Sequence, residues 1–299
     1  MNNINEKNLP KVYLDYLEYS DLTPQSRNEQ MKAVKRILSR LHNYLEKKNL
    51  DLDKLTIDHI DAFLAELNAH YASSTQRLHR SFIRGFLSYL YQQRGILKRN
   101  LAPLVVGPPL FAQSKPPCFL RPDEIKRLFE NVQLSTAWEI RTYALLHLAY
   151  TLGLRPQEIC SITLDDINFT QKWLTLRYRK ANNPITLPLS EPTIKAIVAY
   201  IIGARPDSEQ RYLFLNIKKP HKSITARKVS SDLGQLMKKA GIQATAYWLR
   251  HTYAQNMLEN GASIFEVKEM LGHNHVESSK KYIHIHTKMM REVLFYEEI

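Results

Sequence analysis

Only two cysteines occur in the 299 residues, Cys118 and Cys160, far apart and in unlike contexts. That pair supports neither a disulfide framework nor a metal knuckle, and reads as two reduced thiols of an intracellular protein. Long apolar runs are also missing. The stretch from Ala144 to Tyr150 is interrupted by His147 and falls short of the roughly 18 residues a membrane span needs. Residues Met1 to Leu17 are polar and lack the apolar heart of a signal peptide. There is no Gly-x-x-x-x-Gly-Lys loop to cradle a nucleotide, and no paired-carboxylate cluster suited to two metal ions. No internal repeat or low-complexity tract is present. The expected setting is the cytoplasm, with no cofactor and no metal.

Negative charge is the most unevenly missing ingredient. The formal net charge is +13. From Leu67 to Pro122 there is no acidic residue, while Arg77, Arg80, Arg84, Arg94, Lys98, Arg99, Lys115 and Arg121 all fall there. From Gln210 to Leu258 a lone Asp232 faces nine lysines and arginines, Lys222, Arg227 and Lys228 among them. Two separated basic tracts point to two surfaces facing one polyanion, so nucleic acid is favoured over a membrane or simple solubility.

The length suits two domains. The first hundred residues read as a small helical bundle. Thr23-Pro24 and Thr56 look like helix starts, and Ser73-Ser74 open a further helix. Met31, Val34, Leu38, Leu41 and Leu45 recur at helical spacing, as do Leu78, Phe82, Phe86, Leu87 and Leu90. Arg77, Arg80 and Arg84 share another side of that last helix and are expected to face a DNA groove. Pro103, Gly107, Pro108, Pro109, Pro116 and Pro117 then forbid helix and favour an extended connector. The domains are set at residues 1–107 and 119–299, with 108–118 as linker. The second half is expected to be mainly helical, with two short strands, Lys172 to Tyr178 and Pro184 to Leu189, joined by a polar turn that carries Lys180. Further helices are expected over Glu191 to Ile202, Thr225 to Lys239, Ala246 to Asn260 and Ser263 to Leu271.

Five features of this half combine: Gly153-Leu154-Arg155-Pro156-Gln157-Glu158; Lys180 on its turn; Tyr247-Trp248-Leu249-Arg250-His251-Thr252; Leu271-Gly272-His273; and Tyr282. Taken singly, each has an ordinary reading: a solvated arginine, a soluble lysine, a packed tyrosine, a histidine that caps a helix. His284 and His286 suggest a metal pair only faintly, since no carboxylate or cysteine cluster accompanies them. In this order and spacing, from about Leu120 to Tyr282, the set resembles the tyrosine recombinase, or phage integrase, family. The helical first half resembles that family's core-binding domain in pattern.

The resemblance implies a catalytic set of Arg155, Lys180, Arg250, His273 and Tyr282, with Glu158 supporting Arg155. It also implies a clamp around duplex DNA, a homotetramer on two DNA sites and a nucleoid-associated enzyme of Xer-like or transposon type. The apolar tail (Met289, Met290, Val293, Leu294, Phe295) would then dock on a neighbouring protomer. The chemistry fits independently. Two guanidinium forks can hold a phosphate's non-bridging oxygens, a lysine can protonate a leaving oxygen, and a tyrosine can hold the strand end covalently.

One slot departs from the pattern. Histidine usually stands three residues before the second arginine, and Tyr247 stands there instead. Tyrosine can donate to a phosphate oxygen, but with an unperturbed pKa of about 10 it is a poorer base than histidine near 6.5. The proton acceptor for Tyr282 is therefore open. His251 should point to another side of the helix and reads as structural. Two rival readings remain: a type IB topoisomerase-like enzyme, and a DNA-binding regulator whose catalytic site has degenerated.

Overall fold

The computed structural model describes residues 9–20, 27–108, 118–177 and 184–272. The chain divides into two compact units, residues 1–112 and 113–299.

The first unit is built from α1 (Lys11–Ser20), α2 (Arg27–Lys47), α3 (Ile57–Asn68) and α4 (Ser73–Gln92). Thr56 caps α3 as its sequence context suggests, its hydroxyl accepting from the His59 amide at 3.4 Å. Val34, Ile37, Leu38, Leu41 and Leu45 of α2 meet Ile60, Phe63 and Leu64 of α3 and Phe82, Ile83, Phe86, Leu87 and Leu90 of α4 in one buried core. Tyr13 of α1 stacks on Phe86 at 4.9 Å. Leu78 departs from the expected stripe and is 46% exposed. At that end α4 packs through its next residues instead, where buried His79 meets the Asn68 side-chain oxygen at 2.7 Å. Pro103 lies in a short 3-10 turn, Ala102–Leu104, and Leu101, Ala102 and Val105 are buried on the bundle. The expected start at Thr23-Pro24 lies outside the described residues.

The second unit runs through α5 (Pro122–Glu130), α6 (Ala137–Thr151), α7 (Pro156–Ser161), β1 (Ile167–Asn168), β2 (Trp173–Leu176), β3 (Ile185–Pro188), α8 (Glu191–Gly203), α9 (Ala226–Lys239), α10 (Ala246–Glu259) and α11 (Ile264–Leu271). It is mainly helical with a small antiparallel sheet, as expected. The sheet has the order β1-β2-β3, and Leu174 pairs with both Ile167 and Leu187. Strand β1 has two residues and no alternating pattern; it exists through its pairing, so the sequence did not reveal it.

Helix α6 is the centre of this unit. Thr142 and Ala144 to Ala149 are all buried, which leaves α6 no polar stripe. Its Arg141 is also buried. Arg141 pairs with Asp232 of α9 at 2.7 Å and donates to the Leu215 carbonyl at 2.8 Å. Asp232 also accepts from the Trp138 indole at 3.0 Å and from Lys228 at 2.8 Å. The lone acid of the second basic tract is thus a fully buried structural group.

Candidate functional site

Helix α6 ends where Gly153 takes a left-handed backbone (φ +61). A Cβ there would come within 2.4 Å of the Tyr253 ring, so close packing as well as backbone conformation requires glycine. The chain then extends through Leu154 to Arg155, the residue before the first turn of α7, and Pro156 occupies the first helical position.

Glu158 sits three residues on. Its carboxylate accepts from the Arg155 backbone N–H at 2.8 Å and from the Arg155 guanidinium at 2.7 Å. The two therefore meet across a helix start and not along a helical face. Nor is this a surface ion pair: the side chains are 16% and 4% exposed. In such surroundings the pair is poorly screened, and removing one partner is costly.

Arg250 arrives from the second turn of α10, also buried. Its Nη1 donates to the Gly153 carbonyl at 2.6 Å and lies 3.7 Å from the Glu158 carboxylate. Its Nη2 donates to the Leu271 carbonyl at the end of α11. Arg155 donates to that same carbonyl at 3.1 Å and to the Gly272 carbonyl at 3.4 Å. Gly272 caps α11 in the left-handed conformation (φ +60), which turns these carbonyls out of the helix. The end of a helix carries partial negative charge, so two cations gather where the α11 dipole ends.

The structure brings together Arg155, Glu158 and Arg250 from the expected set. Tyr247 lies in the first turn of α10, 51% exposed, and makes no hydrogen bond to a described residue. Lys180, His273 and Tyr282 lie outside the described residues, as do His284, His286 and the apolar tail. Sequence reasoning did not find the roles of the Gly153, Leu271 and Gly272 carbonyls. The neighbouring Gly-Leu-Arg and Leu-Gly-His triplets were the only trace of them.

The expected DNA contacts separate into two groups. Arg77, Arg84, Lys222 and Arg227 are exposed. Arg80 is buried, its guanidinium lying against Gly107, because the chain after α4 folds back over that side of the helix. Lys228 is half-buried and tied to Asp232. Among the described residues no group of three or more His, Cys, Asp or Glu side chains is placed to hold a metal, and no helix is long and apolar enough to cross a membrane.

The sequence model of the Phage integrase family matches residues 118–289, more than half of the chain. The chain belongs to the phage integrase family. The model of that family's N-terminal SAM-like domain matches residues 12–94. Tyrosine recombinase XerC of Anoxybacillus flavithermus is 26% identical over 291 residues, covering 94% of this chain and 95% of that protein. Tyrosine recombinase XerA of Pyrococcus furiosus is 32% identical over 179 residues, 60% of this chain and 61% of that protein. Among solved structures, the XerH site-specific recombinase bound to its palindromic difH substrate superposes with a TM-score of 0.75 at 19% identity. That match covers 90% of this chain and 80% of the other. As a tyrosine recombinase of this family, the protein is an enzyme that breaks and rejoins DNA.

Proposed function

We propose that this recombinase cuts one DNA strand by attack of the Tyr282 hydroxyl on a phosphodiester. The tyrosine Oη–phosphorus bond forms and the bond to the 5′ oxygen breaks, leaving a 3′-phosphotyrosine and a free 5′ hydroxyl. Arg155 and Arg250 neutralise the non-bridging oxygens in the transition state, Glu158 and the Leu271 carbonyl hold the two guanidinium groups side by side, and His273 joins them at the phosphate. Lys180 gives its proton to the departing 5′ oxygen, and the proton that the Tyr282 hydroxyl loses passes to solvent. Tyr247 donates a hydrogen bond to a phosphate oxygen. Attack by the 5′ hydroxyl of a partner strand reverses the chemistry, so the phosphodiester energy is conserved and no nucleotide is consumed.

The observation that carries this reading is the meeting of two arginines, far apart in sequence, on one carbonyl beside a buried carboxylate. Isolated surface arginines have no such scaffold, and two fixed guanidinium forks suit the non-bridging oxygens of a phosphodiester.

In this reading residues 1–107 bind the core site, 108–118 link, and 119–299 carry the chemistry and an apolar tail. Four protomers act on two DNA sites in the cytoplasm, at the nucleoid, and tails pass between protomers. The biological setting is integration, transposition or dimer resolution. A strand-exchange assay on paired target sites tests the reading. Recombinant products that need both sites support it; relaxation of supercoils without a partner site means a topoisomerase, and DNA binding with neither product means a regulator.

A further inference from the structure

Arg80 is only 8% exposed, yet it forms no hydrogen bond or ion pair with any described residue. An arginine presents five N–H donors, and those of Arg80 meet no acceptor among the described residues while still reaching solvent. The nearby polar groups do not serve it. The Asn68 side-chain oxygen is taken by His79, and the Gln76 amide donates to the Asn68 and Tyr71 carbonyls at 3.3 and 2.8 Å. The guanidinium instead lies close against Gly107. A Cβ at that position would stand 2.2 Å from Nε and 2.7 Å from Nη2. Arg80 lines a cavity of about 360 Å³, walled by α3, α4 and Val106, whose lining also includes Leu64, Asn68, Gln76 and the exposed Asp61.

We infer that this cavity takes one phosphate oxyanion of the DNA backbone, with Arg80 as its ligand. The inference rests on the proposed action on duplex DNA. The volume admits a phosphate group, and a guanidinium fork matches its oxygens. The exposed Asp61 carboxylate also lines the cavity and opposes any anion there, so the Arg80 guanidinium has to outweigh it. Gly107 is the residue whose missing side chain lets the guanidinium lie where it does. The first basic tract thus holds two kinds of cation: Arg77 and Arg84 stand in solvent, and Arg80 waits inside a preformed pocket.

The test measures the salt dependence of binding to a mixed-sequence duplex by the full chain. Arg80→Gln lowers the log–log slope by about 0.9, the value of one neutralised phosphate, and Arg80→Lys keeps it. Gly107→Ala keeps every charge but displaces the guanidinium, and lowers the slope as Arg80→Gln does. Circular dichroism melting shows whether each variant folds. If Arg80→Gln fails to fold, the Gly107→Ala and Arg80→Lys slopes decide. Slopes equal to wild type in the folded variants overturn the inference.

A parallel titration with inorganic phosphate separates the two sources of oxyanion. Stabilisation of wild type but not of Arg80→Gln, with unchanged DNA slopes, assigns the pocket to free phosphate and overturns its place on DNA. Failure of wild type to bind duplex at low salt sinks the proposed function itself, and the phosphate arm then reads the pocket alone.

Discussion

Arg155 and Arg250 donate to the same acceptor, the Leu271 carbonyl, and Glu158 stands beside both. The carboxylate is 4% exposed, so it balances two poorly hydrated cations. Removing one partner of such a pair typically costs about 3–5 kcal/mol. Glu158→Ala should lose stability in that range by urea unfolding, while Glu158→Gln, which keeps an acceptor oxygen, loses less. A Glu158→Ala loss under about 1 kcal/mol would mean that the pair behaves like an exposed one.

His147 should make the protein acid-sensitive. It is buried in α6 between Phe129 and Tyr143, and burial lowers its pKa to about 4. Its Nε2 is buried with no hydrogen-bond partner, so a second proton would find no acceptor. In the unfolded chain an ordinary histidine titrates near 6.5. Above that pH neither state binds the proton and the fold keeps its full stability. As pH falls from 6.5 toward 4 the unfolded state takes up a proton that the folded state refuses, and stability declines by an amount on the order of 3 kcal/mol. Urea unfolding at pH 7.0 and 4.5 checks this: His147→Gln should show a smaller fall than wild type. Equal falls in the two proteins would assign the sensitivity to other groups.

Arg77 and Arg84 are the solvent-facing arginines of α4. Each phosphate neutralised on duplex DNA contributes about 0.9 to the log–log salt slope. Arg77→Gln/Arg84→Gln should therefore weaken binding and lower the slope by up to about 1.8. An unchanged slope would mean that this side of α4 faces away from DNA.

Tyr247 stands three residues before Arg250 with half of its surface exposed, so its hydroxyl is accessible to a bound phosphate. Loss of one transition-state donor typically costs about 2.7–4 kcal/mol, a hundred- to thousandfold in rate. Tyr247→Phe should slow single-turnover cleavage by that factor without weakening DNA binding, and Tyr247→His should stay active. Agreement of Phe and wild type within about threefold would make Tyr247 a packing residue. An inactive wild type revived by Tyr247→His would mark the site as degenerate.

Helix starts were legible because capping is local: Thr56 caps α3, and α4 begins at Ser73. The Arg155–Glu158 spacing was legible too, but its burial was not. That burial depends on α10 and on the end of α11, and a contact to a backbone carbonyl leaves no residue-type signature. Asp232 looked like a lone acid in a basic surface because its partner, Arg141, lies on another helix. Arg80 looked like Arg77 and Arg84 because periodicity places all three on one arc of α4, and the wall that separates them comes from Gly107, beyond the helix. Strand β1 has no pattern of its own and is defined by Leu174.

The central claim is covalent catalysis by Tyr282. Incubation of the enzyme with a nicked target duplex, whose cleaved end fragment diffuses away, should trap a protein–DNA adduct on a denaturing gel. Wild type should give the adduct, and Tyr282→Phe should give none while binding the duplex with nearly unchanged affinity. An adduct of equal yield from Tyr282→Phe would contradict the account and move the nucleophile to another residue, Tyr253 or Tyr296.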